Sequence, residues 1–217
     1  MSTILINPNS TKAMTARIVQ TARDAAPYQT FDGWTSHLGP ASIQGPEDGA
    51  AAVPPLLRLV DDASAAGADG IIIACFDDTG LAEARARAAC PVIGIGQAAY
   101  HLAALTGQRF SVVTTLGVSV PILEDNIRAE GLWHACGRVR ASEVPVLALE
   151  SGASDVIAAV ISHCRAALSE DGVDCIILGC AGMSEVVDAV RAAIDAPIID
   201  PVAAAAQVSA AARQFRV

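Results

Sequence analysis

No apolar run in this sequence stays free of charge long enough to span a bilayer. Hydrophobic residues make up 53% of the chain, but much of that is alanine, so the composition reads as a large buried core and no membrane partner is expected. The first residues pass directly into the strand pattern Thr3-Ile4-Leu5-Ile6, without a basic leader or a cleavage site, so a secretory signal is not expected. Lysine and arginine are few and unclustered, and the formal charge is −9. That balance argues against a nucleic-acid partner, because phosphate binding relies on grouped cations. The six cysteines contain no CxxC pair. They are expected to be reduced thiols in a cytoplasmic protein, and their spacing is not that of a metal site. Gly94-Ile95-Gly96 is too short for a dinucleotide fingerprint, and neither a Walker sequence nor a pyridoxal phosphate context is present, so no cofactor is expected.

What is present is a repeat. Gly67-Ala68-Asp69-Gly70-Ile71-Ile72-Ile73-Ala74-Cys75 aligns without a gap on Gly172-Val173-Asp174-Cys175-Ile176-Ile177-Leu178-Gly179-Cys180. In both, a short apolar run follows a Gly-x-Asp turn, reads as a buried parallel strand, and ends in a cysteine. Pro91-Val92-Ile93 finds its counterpart in Pro197-Ile198-Ile199.

Strands alternate with helices along the chain. In the first half, strands are expected at Ile4–Ile6, Thr30–Thr35, Gly70–Ala74 and Pro91–Gly94. Helices are expected at Lys12–Ala26, Asp48–Ala65, Thr79–Ala89 and Gln97–Leu105, with a break or kink at Pro54-Pro55. The second half repeats the order. Its strands are Phe110–Thr114, Gly137–Ala141, Asp174–Leu178 and Pro197–Ile199. Its helices are Val118–Glu130, Ser154–Leu168 (capped by Ser154), Ser184–Ile194 and Val202–Gln214. His37–Gly49 and Glu143–Gly152 read as loops. The pattern implies an α/β fold of parallel sheets flanked by helices, and the repeat favours two similar halves. The halves are expected at residues 1–97 and 98–217, with the closing helix free to pack back on the first half.

Cysteine is among the most buried residue types, so inert core is the default for Cys90, Cys136, Cys164 and Cys175. Cys75 and Cys180 differ in position. Each stands at the carboxyl end of a parallel strand, where open α/β sheets place ligands. Each also precedes an expected helix N-terminus, which would lower the thiol pKa. Two thiols across a cleft suit removal of a proton from a carbon acid on one face and its replacement on the other. The enolate-like intermediate needs donors at its oxygen. The turns after the cysteines are candidates: Phe76-Asp77-Asp78-Thr79 and Ala181-Gly182-Met183. Pro8, Asn9, Ser10, Thr114 and Thr115, at the ends of the two opening strands, are turn and capping residues that can also face a substrate. Asp77 and Asp78 read first as early-helix charges matched to the helix dipole. The four histidines have no paired spacing and are given no catalytic role.

These residues carry a resemblance. Asn7-Pro8-Asn9-Ser10-Thr11, Gly39-Pro40-Ala41-Ser42-Ile43, Ala74-Cys75-Phe76-Asp77-Asp78, Phe110-Ser111-Val112-Val113-Thr114-Thr115-Leu116 and Leu178-Gly179-Cys180-Ala181-Gly182-Met183 resemble the aspartate/glutamate racemase superfamily, and within it the branch of hydantoin and allantoin racemases. The resemblance spans nearly the whole chain. It implies two pseudo-symmetric α/β domains, each a parallel sheet flanked by helices, with the active site in the cleft between them. It also implies cofactor-independent two-base racemisation with Cys75 and Cys180 as the acid–base pair, and a homo-oligomer. The sequence departs from the branch at Gln44, where a Glu followed by an aromatic pair is common, and at Pro201, where Gly is common.

The expected function is inversion at C5 of a 5-substituted hydantoin or a related cyclic ureide such as allantoin, a small-molecule substrate. An aspartate- or glutamate-type racemase is the near alternative; isomerase or decarboxylase relatives are further ones. A non-catalytic small-molecule binding module also suits two lobes around a cleft but gives no reason for paired cysteines. A thiol redox protein predicts a Cys75–Cys180 disulfide on oxidation.

Overall fold

The computed structural model describes residues 2–212. Its first half runs β1 (Thr3–Asn7), α1 (Lys12–Ala25), β2 (Phe31–Thr35), α2 (Pro46–Ala65), β3 (Gly70–Ile73), α3 (Leu81–Arg87), β4 (Val92–Gly94) and α4 (Ile95–Leu105). The second runs β5 (Phe110–Thr114), α5 (Val120–Ala129), β6 (Cys136–Ala141), α6 (Ser154–Glu170), β7 (Cys175–Gly179), α7 (Val187–Ala193), β8 (Ile198–Ile199) and α8 (Pro201–Ala212). Two parallel four-stranded sheets result, ordered β2-β1-β3-β4 and β6-β5-β7-β8. The central strands β1, β3, β5 and β7 are buried at every position, as continuous apolar runs require when helices cover both faces.

The two terminal helices of the halves are exchanged. Besides its own β4, α4 lies against β7 and α5 of the second half. In turn α8 lies against α1, β3 and β4 of the first, and the two helices pack on each other. Three of the chain's eight aromatic residues meet at this junction. Phe76 stands edge-on to Tyr100 (5.4 Å between centroids, 80°), and Tyr100 stacks on Phe110 (6.0 Å, 16°).

Several expectations change. Helix α2 continues through Pro54 and Pro55. Each proline removes a bond to the carbonyl four residues earlier, a cost of about 3 kcal/mol or more in a helix interior. Leu56, Leu57 and Val60 are buried just beyond, each contributing roughly 1.5–3 kcal/mol, which holds the element together. Pro46 opens this helix, so the preceding loop is shorter than expected. Helix α3 starts at Leu81 rather than Thr79, because Asp78 and Gly80 take positive φ values of 49° and 68° and turn the chain first. Ser154 is the first helical residue and not the cap; Ala153 occupies that place without a side-chain bond. The loop before α6 contains a 3-10 turn at Val146–Ser151, and the stretch after Cys180 begins as a 3-10 turn at Ala181–Glu185, with α7 following. Arg213 and Gln214, expected to end the closing helix, lie outside the described residues. Among the described residues, no helix is long and apolar enough to cross a membrane.

Candidate active site

In each sheet the connections leave the opening strand in opposite directions, so a crevice opens at the carboxyl ends of β1 and β3, and again at those of β5 and β7. The chain leaving these four strands builds one cavity. Asn9 follows β1, Cys75 and Asp77 follow β3, Thr114 ends β5 with Thr115 just beyond it, and Cys180 follows β7, all lining the same space. Both expected cysteines, at matching positions in the repeat, therefore share a wall. The enclosed space between them is about 30 Å³.

Each sulfur is held by its own turn. Gly182 N–H donates to Cys180 Sγ at 3.3 Å. Symmetrically, the backbone N–H of Asp77 reaches Cys75, whose Sγ also shares a hydrogen bond with Thr79 Oγ1 at 3.4 Å. The Gly182 and Asp77 N–H groups that the sequence offered to a substrate oxygen thus point at sulfur. The expected lowering of the thiol pKa is overturned. Burial pushes Cys75 well up, the Asp77 charge adds to it, and the bonds from Thr79 and Asp77 recover only part. Burial likewise pushes Cys180 up to about 12, against the bonds from Gly182 and Met183. Desolvating a thiolate costs more than one short turn returns, and no α-helix begins directly at either cysteine. Both thiols are thus shifted toward their protonated form.

The two aspartates are also relocated. They precede α3 without entering it, and they separate in role. The Asp78 carboxylate accepts from Gly96 N (3.0 Å) and Gln97 N (2.7 Å), capping the first turn of α4, a different helix from the one expected. Burial still leaves it raised to about 8. Gly94 and Gly96, too few for a nucleotide loop, find their reason here: a Cβ on either would strike the Asp78 side chain, and one on Gly96 would also strike the Phe76 carbonyl. Asp77 instead lines the cavity. Among the described residues none bonds its carboxylate, and burial alone raises it to about 7. Its backbone carbonyl accepts from Asn126 Nδ2 at 2.8 Å, which ties the Cys75 turn to α5 of the other half.

A folded pKa above the unfolded value means stability present at low pH and lost as pH rises toward and through 7. Asp77→Asn removes that loss. Cys75, Cys180 and Asp78 are the other titratable groups of this turn and cavity, and they are common to both proteins. The variant is expected to melt at least about 2–4 °C above the wild type at pH 9, the shift that roughly 1 kcal/mol makes in a chain this long. The gap should close near pH 4. Thermal denaturation at both pH values checks this; equal melting at pH 9 contradicts it.

Of the other expected contacts, Phe76 and Ala181 line the cavity. Asn9 lines it with its oxygen committed to Asn7 Nδ2 (2.9 Å) and Thr11 N (3.0 Å). Thr114 Oγ1 donates to the Gly179 carbonyl at 2.9 Å. Pro8, Ser10 and Gly182 are not among the lining residues. Ser10 holds the loop after β2, its N–H donating to the Pro40 carbonyl at 2.8 Å. Gly182 opens instead onto a neighbouring outer pocket walled by α1 and the turn after Cys180, where Arg17 Nη2 donates to Glu185 Oε1 at 2.7 Å.

Sequence reasoning missed Met14, Ile43, Ser119 and Val146, all of which line the cavity. Gln44, from the loop that departs from the family pattern, accepts from Val146 N at 2.9 Å and so joins the two long loops that carry Ile43 and Val146. Among the described residues, no group of three or more His, Cys, Asp or Glu side chains is arranged to hold a metal.

Two copies of one parallel α/β unit, meeting at their strand ends around a shared cavity, define a pseudo-symmetric two-domain α/β protein with a thiol from each half in its cleft. The chain belongs to the Asp/Glu/Hydantoin racemase family, whose sequence model matches residues 4–208. It is 43% identical to a hydantoin racemase of Rhizobium meliloti over 208 residues, covering 95% of this chain and 86% of that one. Among solved structures it is similar to allantoin racemase from Klebsiella pneumoniae (36% identity, TM-score 0.91, covering 99% of this chain and 89% of that one). It is also similar to allantoin racemase from Pseudomonas fluorescens (30% identity, TM-score 0.93, 99% and 92%).

Proposed function

We propose that this racemase inverts C5 of a 5-substituted hydantoin or a related cyclic ureide such as allantoin, using Cys75 and Cys180 as its acid–base pair and no cofactor. The observation that carries the reading is the pair of thiols from equivalent positions lining one cavity, in a chain similar to hydantoin and allantoin racemases. The ring carbonyl beside C5 acidifies its C–H bond. A thiolate on one face takes that proton while the thiol opposite delivers its own, and the roles exchange in the reverse direction. Each such group contributes roughly 10²–10⁴-fold. One thiol gives up its proton to solvent as the substrate seats, and the N–H groups of Asp77 and Gly182 favour the thiolate so formed. Ser119 and Thr115, on the cavity wall, are the hydroxyl donors for the developing enolate oxygen.

The absence of Arg, Lys and His among the cavity-lining residues favours a neutral ring over a dicarboxylic amino acid, whose two charges need cations. The expected boundary at 97/98 falls inside α4 (Ile95–Leu105), so the two catalytic lobes are read as joined at the linker between α4 and β5. All six cysteines are free thiols, in keeping with a cytoplasmic enzyme, and the family resemblance suggests a homo-oligomer. The test is incubation of single enantiomers of several hydantoins and of allantoin in D₂O. Loss of optical rotation with deuterium at C5 is expected; neither change in any substrate overturns the reading.

A further inference from the structure

The cavity carries one charged side chain that the two-thiol mechanism does not use. Asp77 projects into it from the turn after Cys75, unbonded, while the remaining polar wall consists of hydroxyls, thiols and the Asn9 amide. Its position is fixed from three sides. The Asp77 backbone is held by Asn126 from the other half, Asp78 beside it is clamped on the start of α4, and Phe76 packs on Tyr100. A half-buried carboxylate on so firmly held a backbone, lining the cavity with no protein partner of its own among the described residues, points to a task on bound ligand.

Above about pH 7 Asp77 is ionised, and an ionised carboxylate only accepts hydrogen bonds. The groups it can meet in the substrate are therefore donors, and a cyclic ureide offers two of them, the ring N–H groups. We propose that the Asp77 carboxylate accepts a hydrogen bond from a ring N–H of the substrate and thereby selects neutral cyclic ureides over carboxylate-bearing compounds. The proposal rests on the racemase reading for its substrate class. It has a chemical corollary. An imide beside a fixed negative charge keeps its proton, and the neutral ring is a stronger carbon acid at C5 than its imide anion. A cation in that place would draw the imide proton off and make C5 harder to deprotonate. The same charge repels the ring-opened ureido acid, whose carboxylate would enter a cavity without a counterion.

The experiment measures both affinity and C5 exchange for a 5-substituted hydantoin, its 1-methyl and 3-methyl derivatives, and the ring-opened ureido acid. Each is tested with the wild-type protein and with Asp77→Asn. A bond to a charged acceptor is worth roughly 10- to 100-fold in affinity. Wild type should lose that factor on methylation of at least one ring nitrogen. Asp77→Asn should lose it on the parent ring, show no further loss on that methylation, and bind the ureido acid better than wild type does. Wild type that accepts both methylated rings as well as the parent overturns the proposal without any variant. So does a variant that keeps full affinity for the parent, or one on which methylation costs as much as on wild type. Binding of the ring without C5 exchange by the wild type would sink the racemase reading alone, since the affinities still report the N–H contact.

Discussion

Cys75→Ser and Cys180→Ser are each expected to lose at least roughly 10²-fold in racemisation rate, the lower range for removing one general acid–base group. Serine keeps the size and the hydrogen-bonding turn but is a far weaker acid than a thiol, so on its face the proton neither leaves nor arrives. The two variants should differ in what survives. The one that keeps the thiol facing the α-proton of a given enantiomer can still remove and return that proton. It then exchanges deuterium into that enantiomer without converting it, while the other variant does so for the mirror image. Chiral chromatography with mass detection after incubation in D₂O separates the outcomes. Full racemisation by either variant rules out the two-base assignment. Equal loss of exchange on both enantiomers by both variants, with unaltered melting, points to one shared catalytic role for the pair.

Gly96→Ala should damage the protein from outside the cavity. The new Cβ meets the Phe76 carbonyl and the Asp78 carboxylate together, and the backbone oxygen cannot rotate aside as a side-chain end can. Relief requires moving either the first turn of α4 or the turn that carries Cys75. Overpacking of this kind costs roughly 1–3 kcal/mol, or up to several degrees in melting temperature for a chain this long. The displacement also shifts a sulfur whose place is set by bonds to Thr79 and to the backbone two residues on, so C5 exchange should fall about tenfold or more. Thermal denaturation and exchange, measured on the same preparation, test both effects; a variant unchanged in both would show that the turn yields freely.

The frame of the molecule was readable before its contacts were. Apolar runs after Gly-x-Asp turns place β3 and β7 by periodicity alone, and the equal spacing of their cysteines places two thiols at equivalent strand ends. What stayed hidden depends on residues far apart in sequence. Pro54 and Pro55 break a helix by local rules, yet the burial that follows them carries α2 onward. Asp78 looks like the first-turn charge of its own helix, while its partners are the backbone of residues 96 and 97. Ile43 and Val146 reach the cavity on loops joined through Gln44 across 102 positions of chain, and no short motif announces a contact of that kind. The thiol pKa stays hidden for a related reason: a strand end suggests a dipole, but only the assembled wall shows the sulfurs drawn partly out of water.

The exchange of α4 and α8 bears on how such a chain can be taken apart. Cut at the linker between α4 and β5, the first piece would keep α4 with its second-half partners gone, and would lose α8, which covers β3 and β4. The second piece would carry α8 with Val202, Ala204, Ala205 and Ala206 turned toward water. Neither fragment closes its own core. The two repeated units form an interlocked pair, recoverable as halves only by mixing both pieces so that each lends the other its missing helix.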